Sequence, residues 1–275
     1  MNNHYYLIAS LPKLDFPQDR WKIEVEEVYQ QIMENLEGWD LRLAKYMIYP
    51  NDNQNLIKSI LDKRGDRSTI HDWQIPAVFP PEVMENYQNH LDRLPSYMLD
   101  FLESSQQSDM SPSQLERDLW QKFYDEMINC GDHFVENYYL LELNLKKILA
   151  AFNGRHFNLE FQQEIIFESD INQNLIKSSA SDFGIGQYFP FLDKLNEAFE
   201  SGEVSQLETE IDQILWNYIE DITRFSFFNT HQVLAYLKKL MIVKRWMNLS
   251  EEEGKKRLEE LVDGIMNDFE LPKLN

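Results

Sequence analysis

The chain has 275 residues, enough to bury a core in one large domain or two small ones. Its 26 Lys and Arg stand against 47 Asp and Glu, and the net charge of −21 repels nucleic-acid backbones and anionic lipid surfaces while favouring basic partners. Apolar residues at 43% and aromatics at 13% exclude wholesale disorder, and a lone cysteine, Cys130, excludes an internal disulfide or a thiolate metal cluster.

In chain order, the opening MNNHYYLIASLPKLDF lacks the basic n-region of a signal peptide. No later run is apolar for as long as a membrane span requires, so a cytoplasmic location without direct membrane insertion is expected. Within that opening, HYYLIAS is β-rich and is the clearest strand candidate. VEEVYQQIMENLEGWDLRLAKYMI, from Val25 to Ile48, reads as helix and YPND as a break after it. DNQNLIKSIL follows at Asp52, where Leu56, Ile60 and Leu61 give a buried face. The turn-rich KRGDRSTIHDWQIPAVFPP precedes a further helical stretch, PPEVMENYQNHLDRLPSYMLDFLES.

The strongest helical signal runs from Ser113 to Phe152, with Leu115, Leu119, Phe123, Met127, Phe134, Tyr138, Leu145 and Leu149 mostly three, four or seven apart. Ser111 as cap, Pro112 at the first helical position and Gln114 as capping-box partner mark its start, and Gly131 bends or divides it. FNLEFQQEIIF, from Phe157, suits strand or helix equally. SSASDFGIGQYFP and FESGEVS are turns. Ser205 with Glu208, and Ser250 with Glu253, have capping-box spacing before amphipathic runs, and Thr230 is placed to cap THQVLAYLKKLMIVKRWMN between them. The expected fold is all-α with little or no sheet. Trp39, Trp120, Trp216 and Trp246 lie in helical stripes and are expected in the core.

The chemistry-bearing residues form no recognisable catalytic series. Six histidines include no HExxH and no Glu three residues before a His, so the paired ligands of helical di-iron sites are missing. His71-Asp72 and Asp132-His133 are the nearest to metal-ligand pairs, and a hydrolase using His71, Asp72 and Asp132 is the one enzymatic alternative. GIGQYF at Gly184 lacks the third glycine, the lysine and the preceding strand of a phosphate loop. No cofactor is implied. The unusual charge feature is positive: Lys238, Lys239, Lys244 and Arg245 share one expected helix, with Lys238 and Arg245 on one face. Three readings fit them: intramolecular pairing with the acidic helix that begins at Glu251, a surface face whose stems cover apolar neighbours, or a docking stripe for an acidic partner helix.

The heptapeptide NQNLIKS occurs twice, at 53–59 and 172–178. The second copy runs into the turn NLIKSSASDFG, so the two copies are not expected to form one functional element used twice.

LETEIDQILWNYIEDITRFSFFNTHQVLAYLKKLMIVKRW, from Leu207, resembles the C-terminal part of the central-stalk adapter of rotary V/A-type ATPases, a family found in bacteria, archaea and eukaryotes. Leu207, Glu208 and Asp212, then Val233 to Leu237, then Arg245 follow that family's order. A phrase the family repeats, D-x-x-N-L-K-x-I-L, is matched from its Asn by Asn144 to Leu149, and with one inserted residue by Asp52 to Leu61. YYLIASLP, NLIKSSASDFG, FFNTHQVLAYLKKLMIVKRW and EEGKK together also resemble a bacterial family typically encoded among V-type ATP synthase genes. Where the central-stalk adapters often have acidic residues after VLAYL, this chain has Leu240, Met241 and Val243.

The resemblance implies three similar helical subdomains, approximately 1–105, 106–200 and 201–275, in pseudo-threefold array within one all-helical domain. It also implies a component without catalysis that couples the axle subunits to the membrane rotor ring, peripheral to the cytoplasmic face of the inner membrane. The alternative is a free-standing helical scaffold or regulator of similar fold.

Overall fold

The computed structural model describes residues 4–16, 23–66, 72–107, 110–162, 165 and 169–268, with backbone alone for 106, 107, 170 and 250–268. Helices make up 72% of it, and the described residues contain no strand, as the all-α expectation requires. Among the described residues there are 11 α-helices: α1 Tyr5–Ser10, α2 Val25–Glu34, α3 Gly38–Arg64, α4 Pro81–Glu85, α5 Ser96–Gln107, α6 Pro112–Ile128, α7 His133–Phe157, α8 Asp170–Lys177, α9 Leu192–Glu200, α10 Val204–Thr223 and α11 Thr230–Asp268.

The frame is built on three long helices. α7 packs against α6, α10 and α3, while α11 lies on α3, α10 and α2. An aromatic chain ties α3, α5, α6 and α7 together, with Tyr97 5.9 Å from Tyr49 and 5.5 Å from Phe123, and Phe123 5.0 Å from Tyr139 in edge contact. Buried apolar side chains from Leu7 to Val243 join in one hydrophobic core.

Local chemistry explains several boundaries. Ser111 and Gln114 form the expected capping box, the Gln114 N–H donating to Ser111 Oγ and the Ser111 N–H to Gln114 Oε1 at 2.9 Å, with Pro112 opening α6. The 113–152 signal divides into α6 and α7 around Gly131, whose φ of +84° only glycine adopts without strain. Asp132 then caps α7, accepting from the Phe134 and Val135 N–H groups.

Other boundaries differ from the sequence reading. HYYLIAS is helical from Tyr5 as α1, whose Leu7 enters the core. YPND does not break α3. Pro50 has no N–H for the Tyr46 carbonyl, and the buried Tyr139 hydroxyl donates to that oxygen instead at 2.6 Å, so the helix continues. The stretch from Val25 to Ile48 is two helices, separated by Asn35 to Glu37. Glu203, not Ser205, stands at the N-cap of α10, and no side chain caps it. Asn229 Oδ1 accepts from the Gln232 N–H at the start of α11, while the Thr230 hydroxyl donates to Asp40 Oδ1 at 2.9 Å. Ser250 opens no helix, because α11 runs through it to Asp268. Trp216 is buried and Trp120 and Trp246 are half-buried, but Trp39 is 47% exposed.

The two heptapeptide copies have different environments. In α3, Asn53 accepts from the Tyr97 hydroxyl at 2.7 Å, and Asn55 both donates to the Gln74 carbonyl and accepts from its N–H. The neighbouring Asn51 donates to the Pro76 carbonyl, and Asp52 accepts the Val78 and Phe79 N–H groups, each at 3.0 Å, so this segment fastens the 72–80 loop. In the short α8 the counterpart of Asn53, Asn172, accepts instead from the ammonium of Lys147, a residue 1% exposed on α7.

Candidate functional site

The four basic residues of the expected α11 stripe face inward or pair with acids from other elements. Lys244 pairs with Glu26 of α2, and Lys239 with Glu220 of α10 at 2.9 Å. Arg245 grips Glu208 and Asp212 of α10 together, and the Trp246 indole N–H donates to the same Asp212 at 2.6 Å. Lys238 is 6% exposed, its ammonium 4.6 Å from the ring centres of both Tyr138 and Tyr139. Pairing therefore joins α11 to α2 and α10, while the side chains from Glu251 onward, the other expected partners, lie outside the described residues.

Lys238, Lys244 and Arg245 line a cleft of about 530 Å³ between α7, α10 and α11, which also takes in Trp120 from α6 and residues near Pro50. On its α7 wall, Glu142 accepts from the Tyr124 hydroxyl at 2.6 Å and lies 3.8 Å from the Lys146 ammonium. Burial pushes the Glu142 carboxyl up, but Lys146, Lys238 and the Tyr124 and Tyr138 hydroxyls outweigh it and hold it below the usual range. Burial likewise pushes Lys238 down to about 8, partly opposed by Glu142 and reinforced by Lys146. On the opposite wall, burial wins over Arg245 and Trp246 and leaves the Asp212 carboxyl raised.

A family comparison decides the chain's place. Residues 1–269 match the family described as Protein of unknown function (DUF2764). The chain belongs to the DUF2764 family. No curated protein and no solved structure matches this DUF2764 chain.

The residues of the enzymatic alternative do not assemble among the described residues. His71 lies outside them, Asp72 is exposed, and Asp132 serves as the α7 cap while its second oxygen meets His231 Nε2 at 3.1 Å. No three His, Cys, Asp or Glu side chains converge as a metal site among those residues. Cys130 is half-buried, and burial raises its thiol to about 11, far from the thiolate range that confers reactivity.

The second feature of the DUF2764 chain is an aromatic end. Tyr5 and Tyr6 of α1 and Phe225, Phe227 and Phe228 of the α10–α11 turn are all exposed, from 39% at Phe228 to 88% at Tyr6. The two segments are fastened to each other, the His4 N–H donating to the Phe228 carbonyl at 2.6 Å and the Tyr5 and Phe228 rings 4.6 Å apart. Both are fixed to the start of α3, where Asp40 receives Thr230 and meets His4 Nε2 at 3.1 Å. FFN and YYL were visible in sequence, but their juxtaposition depends on a contact across more than two hundred residues.

No helix among the described residues is long and apolar enough to cross a membrane.

Proposed function

We propose that this DUF2764 chain is a non-catalytic adapter in the central stalk of a bacterial V/A-type rotary ATPase, passing rotation between the axle subunits and the membrane rotor ring. The observation that carries the reading is the α10–α11 clamp. Glu208, Asp212 and Arg245, three of the residues on which the resemblance rests, meet there as one ion-paired group backed by Trp246. A transmitter of torque needs a body that does not yield, and a clamp between two long packed helices supplies that stiffness.

Two further observations support it. The two copies of the repeated phrase, Asp52–Leu61 and Asn144–Leu149, lie on α3 and α7, which pack together as repeated subdomains of one pseudo-threefold body would. The fastened aromatic end offers a contiguous apolar surface of the kind that marks protein contacts, on a chain whose −21 charge attracts basic partners. In this reading the aromatic end is one of the two faces by which the adapter is held in the complex, peripheral to the inner membrane.

The test is purification of the tagged chain from cells expressing the whole gene cluster. Axle and ring proteins co-elute with it, and joint replacement of Tyr6, Phe225 and Phe227 by Ser releases them without lowering the Tm of the isolated chain. Recovery as a monomer from those cells sinks the proposal. A soluble partner together with unchanged ion-coupled ATPase activity on deletion identifies the free-standing scaffold instead.

A further inference from the structure

The cations of the α7–α11 cleft are not equally matched. Lys244 has Glu26, and Arg245 has Glu208 and Asp212. Lys146 and Lys238 share the single carboxylate of Glu142, which already accepts from Tyr124. Among the described residues Lys238 makes no hydrogen bond and no ion pair within 4.0 Å, although it is 6% exposed, lines the cleft beside Tyr138 and has up to three donors. A buried ammonium that meets only ring faces lacks the acceptor that would offset its desolvation. With both lysines charged, this part of the cleft has one positive charge in excess.

The remaining lining sets the class of ligand. Trp120, Leu145, Leu149, Met241 and Ile242 give the cleft apolar walls beside the two ammonium groups. The one excess charge of the lysine group matches a monoanion, whereas a phosphate dianion would turn that group net negative beside Glu208 and Asp212, two acids that share only Arg245. Apolar walls call for an apolar body behind the anionic head.

We propose that this cleft binds one small organic carboxylate, its head between Lys238 and Lys146 and its aromatic or aliphatic body against Trp120, Leu145 and Met241. The carboxylate supplies the acceptor that Lys238 lacks and neutralises the one excess charge of the Lys146–Lys238–Glu142 group. Because burial holds Lys238 at about 8, a bound anion draws a proton onto it, and affinity weakens as pH rises above that value. The other titratable groups facing the site are Glu142, Lys146, Tyr124, Tyr138 and Tyr139 on α6 and α7, and Glu208, Asp212, Lys244 and Arg245 on α10 and α11.

Isothermal titration of the full chain with benzoate, and with benzamide as its neutral isostere, tests the proposal. Benzoate is expected to bind at neutral pH with a Kd on the order of 1 mM, the strength open to so few non-hydrogen atoms, and benzamide at least roughly tenfold more weakly. Lys238→Met is expected to weaken benzoate by about tenfold, and by the same factor a shift from pH 7 to pH 9.5 weakens it in the wild-type chain. Lys146→Met, at a side chain half exposed, lowers affinity about threefold and decides the matter should Lys238→Met fail to fold. Absence of benzoate binding, equal binding of benzamide, or variants that bind benzoate like the wild type overturns the assignment.

Discussion

Replacing Arg245 by Met tests the clamp directly. The substitution keeps the length and much of the apolar stem but leaves Asp212, whose side chain is 5% exposed, with only the Trp246 N–H as partner. Removing one member of a buried pair costs about 3–5 kcal/mol, because the charge left behind is uncompensated. Arg245 is itself 42% exposed, so solvent screens part of the interaction and the expected loss is about 2 kcal/mol. For a chain of this length that corresponds to a fall in Tm of roughly 4 °C.

The sign with pH is fixed by Asp212. Its carboxyl is already raised in the folded chain, so its contribution is full below the unfolded carboxylate range and declines as pH rises through the folded value. Without Arg245 that folded value rises further, and the variant loses more stability at pH 8 than at pH 5. Urea unfolding at the two pH values measures both numbers, and adding Asp212→Asn to Arg245→Met should recover most of the loss at pH 8. A pH-independent loss, or a loss below about 0.5 kcal/mol, would mean that the clamp contributes no more than a surface pair and that stiffness lies elsewhere.

Tyr139→Phe removes the hydroxyl that substitutes for the missing Pro50 N–H and strands the Tyr46 carbonyl, costing about 1–3 kcal/mol by chemical denaturation, with the exchange protection of amides around Tyr46 reduced. Asp52 is fully buried, and burial outweighs its two accepted N–H bonds and raises it to about 7. Its stabilising contribution is therefore complete below the unfolded value near 3.8 and is lost as pH rises through about 7; Asp52→Asn should flatten that slope in urea midpoints measured across pH 4 to 8. Gly154→Ala places a Cβ 2.1 Å from Phe161 Cδ1, so the ring must move and the Tm should fall, by the equivalent of about 1–3 kcal/mol, with Phe161→Ala restoring most of it.

Features decided within a turn of helix were legible in the sequence. Ser111, Pro112 and Gln114 announce α6 because every partner in the capping box is three residues away, and Gly131 announces the α6–α7 break because its conformation is a local property. Features decided at long range were not. Pro50 reads as a helix breaker until Tyr139, a residue 89 positions later in the chain, is seen to satisfy Tyr46. Glu208 reads as a capping-box partner for Ser205 until Arg245 claims it. His4 and Thr230 carry no signal in isolation, because what they do depends on Asp40. The cleft was half visible: Lys238, Lys244 and Arg245 stood out against the acidic composition, but their partners Glu26 and Glu142 are ordinary acids in a chain that has 47.

The inward use of α11 has a consequence for how such a chain meets its partners. Pairing its bases internally leaves the net charge of −21 in place, because every such pair takes up at least one acid, so long-range attraction selects basic partners without specifying where they dock. Orientation then falls to short-range contacts, and the fastened Tyr5, Tyr6, Phe225, Phe227 and Phe228 are the residues whose burial gives most in that role. Salt and aromatic truncation should therefore separate cleanly. Raising ionic strength slows capture of a basic partner by weakening steering, whereas replacing the exposed rings speeds its release, and the adapter role proposed above would depend on the second quantity far more than the first.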